Sequence, residues 1–139
     1  EIGIFLGKML GRELLHTPYM NCTCLVPVPL HPKKYKKRGF NQSEVIAEGV
    51  SSITRIPVNN NLLYRVKDSA TQTNKSRFER YKNVSDVFGL TPLISSEKPG
   101  AILLVDDVVT TGSTLEACAE VLLKHAPALR IFIATVACA

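Results

Sequence analysis

The stretch Ala101–Ser113, AILLVDDVVTTGS, decides the fold of this 139-residue chain. Residues 101–105 are all apolar, which is typical of a strand buried on both faces of a parallel sheet. Asp106 and Asp107 follow at once, and a loop of hydroxyl residues around Gly112 comes next. Apolar side chains then recur at helical spacing, at Leu115, Cys118, Ala119 and Leu122. This order of strand, acid pair, loop and helix predicts an α/β fold with a central parallel sheet flanked by helices.

The loop has the composition of a phosphate site. A helix N-terminus presents unpaired backbone N–H groups and the positive end of the helix dipole. Gly112 allows the backbone to approach an anion closely, and the neighbouring hydroxyls add donors without charge. Carboxylates would repel phosphate, so we expect Asp106 and Asp107 to face sugar hydroxyls or a hydrated Mg²⁺. The predicted ligand is a phosphorylated ribose. A polar turn without a ligand would account for the Thr and Ser residues, but not for two adjacent carboxylates.

Residues 105–114, VDDVVTTGST, resemble the phosphoribosyl pyrophosphate (PRPP) signature of type I phosphoribosyltransferases. The resemblance implies that Asp106 and Asp107 are catalytic residues that hold the ribose 2′- and 3′-hydroxyls. It also implies Mg²⁺ as cofactor, held mainly by PRPP itself near this acid pair. The residues implied to bind the 5-phosphate are Thr110, Thr111, Gly112, Ser113 and Thr114.

The bulk composition is that of one globular domain covering residues 1–139, with 45% hydrophobic residues and a net charge of +5. The charge suits a polyanionic ligand. The chain begins at Glu1 in the middle of a helical pattern, which suggests a fragment of a longer protein. Cys118 and Cys138 lie in apolar patterns, so we expect both thiols to be buried. A reduced, cytoplasmic protein without a membrane span is the expectation.

Further elements follow from the apolar pattern. Residues 2–15 predict a helix, and residues 25–30, LVPVPL, predict a strand that runs into a rigid turn because of its two prolines. Residues 129–137 predict a last strand beside the central one, with Leu103 and Ile133 both buried.

A basic stretch, HPKKYKKRGFNQ at residues 31–42, precedes the second predicted helix. Asn41 and Glu44 have the spacing of a capping box at the start of that helix. The longer segment PVPLHPKKYKKRGFNQSE, residues 27–44, is similar to the characteristic segment of the ComF (competence protein F) family of phosphoribosyltransferase-like proteins.

This second resemblance implies that the turn after the strand is the pyrophosphate loop. The implied pyrophosphate-binding residues are Leu30, His31, Arg38 and Asn41. Arg38 is also an implied catalytic residue, because its guanidinium can bind phosphate oxygens with two hydrogen bonds. Most of the lysines individually are better explained as a solvated basic face, and a lone histidine in a loop is more often structural than catalytic.

The polar segment 67–82 resembles, in its place along the chain, the mobile loop that closes over PRPP in type I enzymes. The resemblance implies lid residues Thr71, Gln72 and Arg77. From composition alone, a polar surface loop without such a role is an equal alternative.

The chain also departs from its relatives. The four-cysteine zinc module that many ComF members carry at the N-terminus is not within these 139 residues; either the full-length protein carries it before Glu1 or the protein lacks it. Thr110 stands where purine-salvage relatives have an acid, and a threonine cannot act as a general base near neutral pH. The acceptor of a transfer reaction is therefore open.

Two functions remain in competition. One is a Mg²⁺-dependent phosphoribosyltransferase that releases pyrophosphate. The other is a non-catalytic PRPP- or nucleotide-binding module that acts in DNA uptake. The expected partners are PRPP or another phosphorylated ribose and, more weakly, DNA-uptake proteins or single-stranded DNA; a homodimer is also compatible with the sequence. A phosphoacceptor receiver domain is excluded because no Asp follows Asp107.

Overall fold

The structure is a computed structural model and describes residues 1–66, 87–91 and 100–139. The helices of these ranges are α1 (Ile2–Leu14), α2 (Pro32–Arg38), α3 (Gln42–Thr54) and α4 (Ser113–His125), with a 3₁₀ turn at Pro18–Asn21. The strands are β1 (Cys24–Pro27), β2 (Leu63–Arg65), β3 (Phe88–Leu90), β4 (Ala101–Val109) and β5 (Arg130–Cys138).

The main sheet has the strand order β1-β4-β5, and both pairings are parallel. Leu103 lies opposite Leu25 of β1 and Phe132 of β5, so β4 is the central strand, as predicted. A second, antiparallel sheet is formed by β2 and β3. The α/β fold with a parallel sheet between helices is confirmed.

The core lies on both faces of the main sheet because successive side chains of a strand point to opposite sides. On one face, α1 and α3 pack over Leu25, Leu103 and Val105. On the other face, α4 and the small sheet pack over Leu104 and Ile102. The apolar run of β4 is therefore buried on both sides.

Helix α3 is held close to α1 by facing glycines. A Cβ placed on Gly49 would lie 2.5 Å from the carbonyl oxygen of Ile4 and 2.8 Å from Cα of Gly7. Larger residues at this crossing would push the helices apart. The close packing sets the position of α3, whose first turn reaches the candidate site described below.

Two predictions of burial are wrong. Ile133 is 49% exposed, and β5 has only β4 as a strand neighbour in the part of the chain that the structure describes. Cys138 is also exposed, at the end of the same strand. An apolar sequence predicts a strand, but whether the strand is central or at an edge depends on pairing with distant segments.

The structure adds two features that the sequence analysis did not contain. The basic stretch forms helix α2, with Pro32 in its first turn and Gly39 at φ +79° after its last residue. Strand β4 does not stop before the acid pair but continues to Val109, pairing with β5 on both sides of Asp107. In the described ranges, none of the helices has the length and apolar character that crossing a membrane requires.

Candidate functional site

The acid pair lies where the main sheet opens. Strand β1 pairs with β4 only as far as Val105, whereas β5 continues along β4 past Asp106. Beyond Val105, β4 no longer has β1 as a neighbour. There the first turn of α3 contacts β4 through Ser43, which bonds to Asp106. Asp106 and Asp107 are both half-buried at this point. Ligands of open α/β sheets bind at this end of the strands.

Asp106 has two hydrogen-bond donors on the same oxygen. Its Oδ1 accepts from the Ser43 hydroxyl at 2.8 Å and from the backbone N–H of Asp107 at 2.9 Å. Burial raises the pKa of Asp106 above its ordinary value, and these two hydrogen bonds act in the opposite direction. Asp107 Oδ1 accepts from the backbone N–H of Val108 at 2.7 Å, so each carboxylate is oriented by the chain next to it.

The loop between β4 and α4 borders a small cleft. The cleft is lined by Asp106, Val108, Val109, Thr110, Thr111, Gly112, Ser113, Thr114 and Leu115. All five residues predicted to bind a 5-phosphate therefore line one cleft, together with one acid of the pair. Asp107 is not among the lining residues.

Gly112 is the N-cap of α4 and has φ +80°, a left-handed conformation that favours glycine. It provides no side-chain cap, and the Ser113 N–H reaches only the Thr111 hydroxyl, at 3.4 Å. The Thr111 and Ser113 hydroxyls lie 3.0 Å apart and are exposed. Backbone donors and hydroxyls thus converge at the positive end of a helix, and this arrangement can bind an anion.

Asn41 occupies the start of α3 differently. It is 3% exposed, its Oδ1 accepts from the Ser43 N–H at 3.1 Å, and its Nδ2 donates to the Val28 carbonyl at 2.9 Å. The helix start at Asn41 is confirmed, although the Asn41 side chain bonds to the second residue of the helix, Ser43, rather than to the third. Both polar atoms of the Asn41 side chain therefore bond to the protein itself. Its role at the pyrophosphate end of a ligand stays a prediction.

The other predicted pyrophosphate residues lie around α2. Leu30 is half-buried in the turn after β1, and His31 is the N-cap of α2, with its Nδ1 accepting from the Lys33 N–H at 3.1 Å. Arg38 is the last residue of α2 and is exposed. These three residues do not line the cleft. A ligand bound by both sets of residues would have to extend from the cleft to α2.

The predicted lid residues Thr71, Gln72 and Arg77 lie outside the described residues. Within the described ranges, no group of three or more His, Cys, Asp or Glu side chains could hold a metal ion. Asp106 at the cleft, with Asp107 next to it in the chain, nevertheless fits a Mg²⁺ whose remaining ligands would come from the phosphates and hydroxyls of the substrate.

Cys118 lies beneath the site and is fully buried. Burial raises the pKa of its thiol to about 12, and the nearby charge of Asp106 adds to this rise. The thiol is therefore protonated at neutral pH and is not a nucleophile.

Ser43 is the residue that the sequence analysis missed. A signal existed, since Ser43 falls on the same helix face as the buried residues Ile46, Ala47 and Val50. A hydroxyl at the first turn of an apolar helix face needs a polar partner. The identity of that partner, 63 residues away, is decided by the fold.

Comparisons with known proteins agree with this geometry. A profile described as the phosphoribosyl transferase domain matches residues 41–139. Purine phosphoribosyltransferase from Pyrococcus horikoshii has a similar fold, with a TM-score of 0.51 and 19% identity, covering 99% of this chain and 72% of that one. The chain belongs to the phosphoribosyl transferase domain family and, within it, to the ComF group.

Relatives of that group match most of the chain. Competence protein F of Haemophilus influenzae is 36% identical over 100 residues, which are 72% of this chain and 44% of that protein. DNA utilization protein YhgH of Escherichia coli K12 is 32% identical over 132 residues, 92% of this chain and 57% of that protein. Competence protein ComFC of Bacillus subtilis is 34% identical over 107 residues, 77% of this chain and 41% of that protein. The chain therefore spans about half the length of these relatives.

Proposed function

We propose that this domain binds PRPP with Mg²⁺ and transfers its ribose 5-phosphate to a nucleophilic acceptor, releasing pyrophosphate. The observation that carries the proposal is the cleft in which Asp106 and the whole loop from Thr110 to Thr114 meet at the open N-terminus of α4. A phosphate and a sugar bound side by side need this combination of donors and carboxylates.

The roles of the residues follow from their chemistry. The loop binds the 5-phosphate through N–H and O–H donors, and Asp106 and Asp107 accept hydrogen bonds from the ribose hydroxyls. Arg38 neutralises charge on the pyrophosphate, for which a guanidinium is well suited. Mg²⁺, when bound to PRPP, further stabilises the negative charge on the departing pyrophosphate.

The reaction exchanges one bond at the anomeric carbon. The bond to the pyrophosphate oxygen breaks with its electron pair on oxygen, and the acceptor forms a bond to the same carbon and loses a proton. Thr110 cannot take that proton, so we expect an acceptor that is nucleophilic without a base at this position. This differs from relatives with an acid there.

Two measurements test the proposal. Calorimetric titration with PRPP and Mg²⁺ should show binding, and a turnover assay with candidate acceptors should show release of pyrophosphate. Arg38→Gln should weaken PRPP by about tenfold or more, as expected for a lost charge-assisted bond, and should weaken ribose 5-phosphate less. No binding of PRPP by the wild type would reject the function, and equal losses for both ligands would reject only the role of Arg38.

Helix α2 supports a second candidate, a PRPP-binding module that also contacts single-stranded DNA during DNA uptake. Its cations are exposed, and Tyr35 and Phe40 are 46% and 49% exposed beside them. Cations that attract the backbone and aromatic rings that stack with bases are the features of sequence-tolerant single-strand binding. The names of the relatives, which refer to competence and DNA utilization, favour the same class of role.

Fluorescence anisotropy with a labelled single-stranded oligonucleotide tests this candidate. Binding should weaken as salt rises, and Tyr35→Ala together with Phe40→Ala should weaken it by at least about fivefold, since each stacked base contributes about 1–3 kcal/mol. Tyr64→Ala, an exposed tyrosine on β2, is the matched control. Binding that is unaffected by the Tyr35 and Phe40 substitutions would assign the DNA contact elsewhere. We further propose that the domain acts in the cytoplasm, for either candidate function.

A further inference from the structure

Ser43 links the two halves of the candidate site. It is the second residue of α3, is 4% exposed, and its hydroxyl donates to Oδ1 of Asp106 at 2.8 Å. Its helix begins four residues after Arg38, so this bond joins the segment proposed for pyrophosphate to the carboxylate proposed for ribose.

The position of the Ser43 hydroxyl is determined by a chain of short hydrogen bonds. The Val28 N–H donates to the Val105 carbonyl at 2.9 Å, and the Val28 carbonyl accepts from the Asn41 amide, also at 2.9 Å. Asn41 in turn accepts from the Ser43 N–H at 3.1 Å. The end of β1, the start of α3 and the acid end of β4 are therefore connected in a closed loop of contacts.

The consequence is an asymmetry between the two oxygens of Asp106. Oδ1 receives both the Ser43 hydroxyl and the Asp107 N–H. Among the described residues both hydrogen bonds to the carboxylate end on Oδ1 and none ends on Oδ2; the Asp107 carboxyl lies beside Asp106, which borders the cleft. A carboxylate with one oxygen bonded to protein and the other available is suited to accept from a ligand hydroxyl in one defined direction.

We propose that Ser43 is a positioning residue, which holds the Asp106 carboxylate by Oδ1 so that Oδ2 accepts a hydrogen bond from a ribose hydroxyl of PRPP. The inference rests on the proposed function, because it assigns a sugar to that oxygen. Ser43 itself does not touch the ligand. Its contribution is to reduce the freedom of the carboxylate before binding, which lowers the entropic cost of the contact.

The test compares four proteins: wild type, Ser43→Ala, Ser43→Thr and Ser52→Ala. Ser52 is the matched control, because it lies on the same helix and its hydroxyl donates to the Gly49 carbonyl at 2.7 Å. PRPP with Mg²⁺ is titrated by calorimetry. Sulfate is titrated separately, followed by the NMR amide shifts of residues 110–114.

Ser43→Ala should weaken PRPP by about tenfold, the effect of a lost hydrogen bond to a charged group, and leave sulfate binding unchanged. Ser43→Thr keeps the hydroxyl and should recover most of the affinity, and Ser52→Ala should behave as wild type. A merely structural role of Ser43 would not separate the two ligands, because a damaged fold would weaken the binding of both PRPP and sulfate.

Unchanged PRPP affinity in Ser43→Ala, equal losses for PRPP and sulfate, or the same loss in Ser43→Thr or Ser52→Ala would overturn the inference while leaving PRPP binding by the wild type intact. A wild type that does not bind PRPP would instead reject the proposed function and this inference with it.

Discussion

The N-termini of α3 and α4 lie at the two sides of the same site, yet they are built in opposite ways. Helix α3 is closed by its own chain, since buried Asn41 accepts the Ser43 N–H and donates to Val28. Helix α4 begins at Gly112, which has no side chain to close it. Because a helix start attracts negative charge through its unpaired N–H groups, the start of α4 is the more open of the two to an anion.

The difference gives the two helix starts separate tasks at one site: one holds a carboxylate in place, and the other can bind a ligand. The start of α3 supplies a fixed donor, Ser43, for Asp106, the acid proposed to face the sugar. The open helix supplies donors for a ligand. Substitutions of the two cap residues should therefore affect different quantities: stability for Asn41 at α3, and anion binding for Gly112 at α4.

The largest effect is expected at Gly112. Gly112→Val should abolish binding of both PRPP and sulfate, because a branched residue disfavours φ +80° and its side chain projects at the loop. A Cβ at this position meets no atom within 4 Å, so the strain comes from the backbone, about 1–2 kcal/mol, and the fold should survive. Calorimetry and circular dichroism measure the two quantities.

Gly39→Val is the control for that strain. Gly39 has φ +79° and equally open surroundings, but it ends α2 rather than starting α4. It should lose similar stability and keep sulfate binding. Retained binding in Gly112→Val, or lost sulfate binding in Gly39→Val, would contradict the assignment of the open helix start.

The acid pair should show a smaller, ligand-selective effect. Asp106→Asn and Asp107→Asn keep the shape and remove the charge, so each should weaken PRPP by roughly ten- to hundredfold. Sulfate at residues 110–114 should bind as well as before or better, because nearby negative charge is gone. A binding series of PRPP, a 2-deoxy analogue and sulfate measures this split. Unchanged PRPP affinity in both variants would leave the acids with a structural role only.

Asn41→Ala should lower stability and leave sulfate binding at residues 110–114 unchanged. It removes the cap of α3 and leaves the buried Val28 carbonyl without its donor, so the free energy of unfolding should fall by about 1–3 kcal/mol. Asn59→Ala is the matched control, since Asn59 accepts from the Asn61 N–H at the same 3.1 Å in an exposed turn. Urea unfolding should show a clearly smaller loss there. Equal losses would mean that burial of the cap contributes nothing.

The smallest effect concerns the pH dependence of stability. Burial raises the pKa of Asp106 above its ordinary 3.8, so the folded protein holds this proton more tightly than the unfolded chain does. Ionising Asp106 therefore lowers stability, beginning near pH 3.8 and reaching its full extent above the raised pKa. Asp106→Asn should be more stable than wild type at pH 7, and the difference should shrink as pH falls. A difference that stays constant or grows towards low pH would contradict this.

Much of the fold was predictable from local patterns. The strand of residues 101–105, the helix start at Asn41 and the last strand, predicted at 129–137 and found at Arg130–Cys138, follow from apolar periodicity and capping chemistry. Gly112 was predicted to shape the loop, and it has a positive φ. In each case the signal lies within a few residues of the feature.

The errors and omissions concern neighbours that are distant in sequence. Ile133 and Cys138 look buried in an apolar strand, but β5 has one strand neighbour in the described part of the chain. The stretch of residues 31–42 was identified by its charge, and its helix was overlooked because repeated lysines carry no apolar stripe.

The sequence by itself determined the class of the protein, the order of its elements and the loop that can bind a phosphate, because strands, caps and glycine turns are encoded in short segments. Only the tertiary structure decided which hydroxyl holds Asp106, which helix start is closed and which remains open. Those outcomes depend on the register of β1 against β4 and on the packing of α3 against α1, and such contacts join residues up to 78 positions apart.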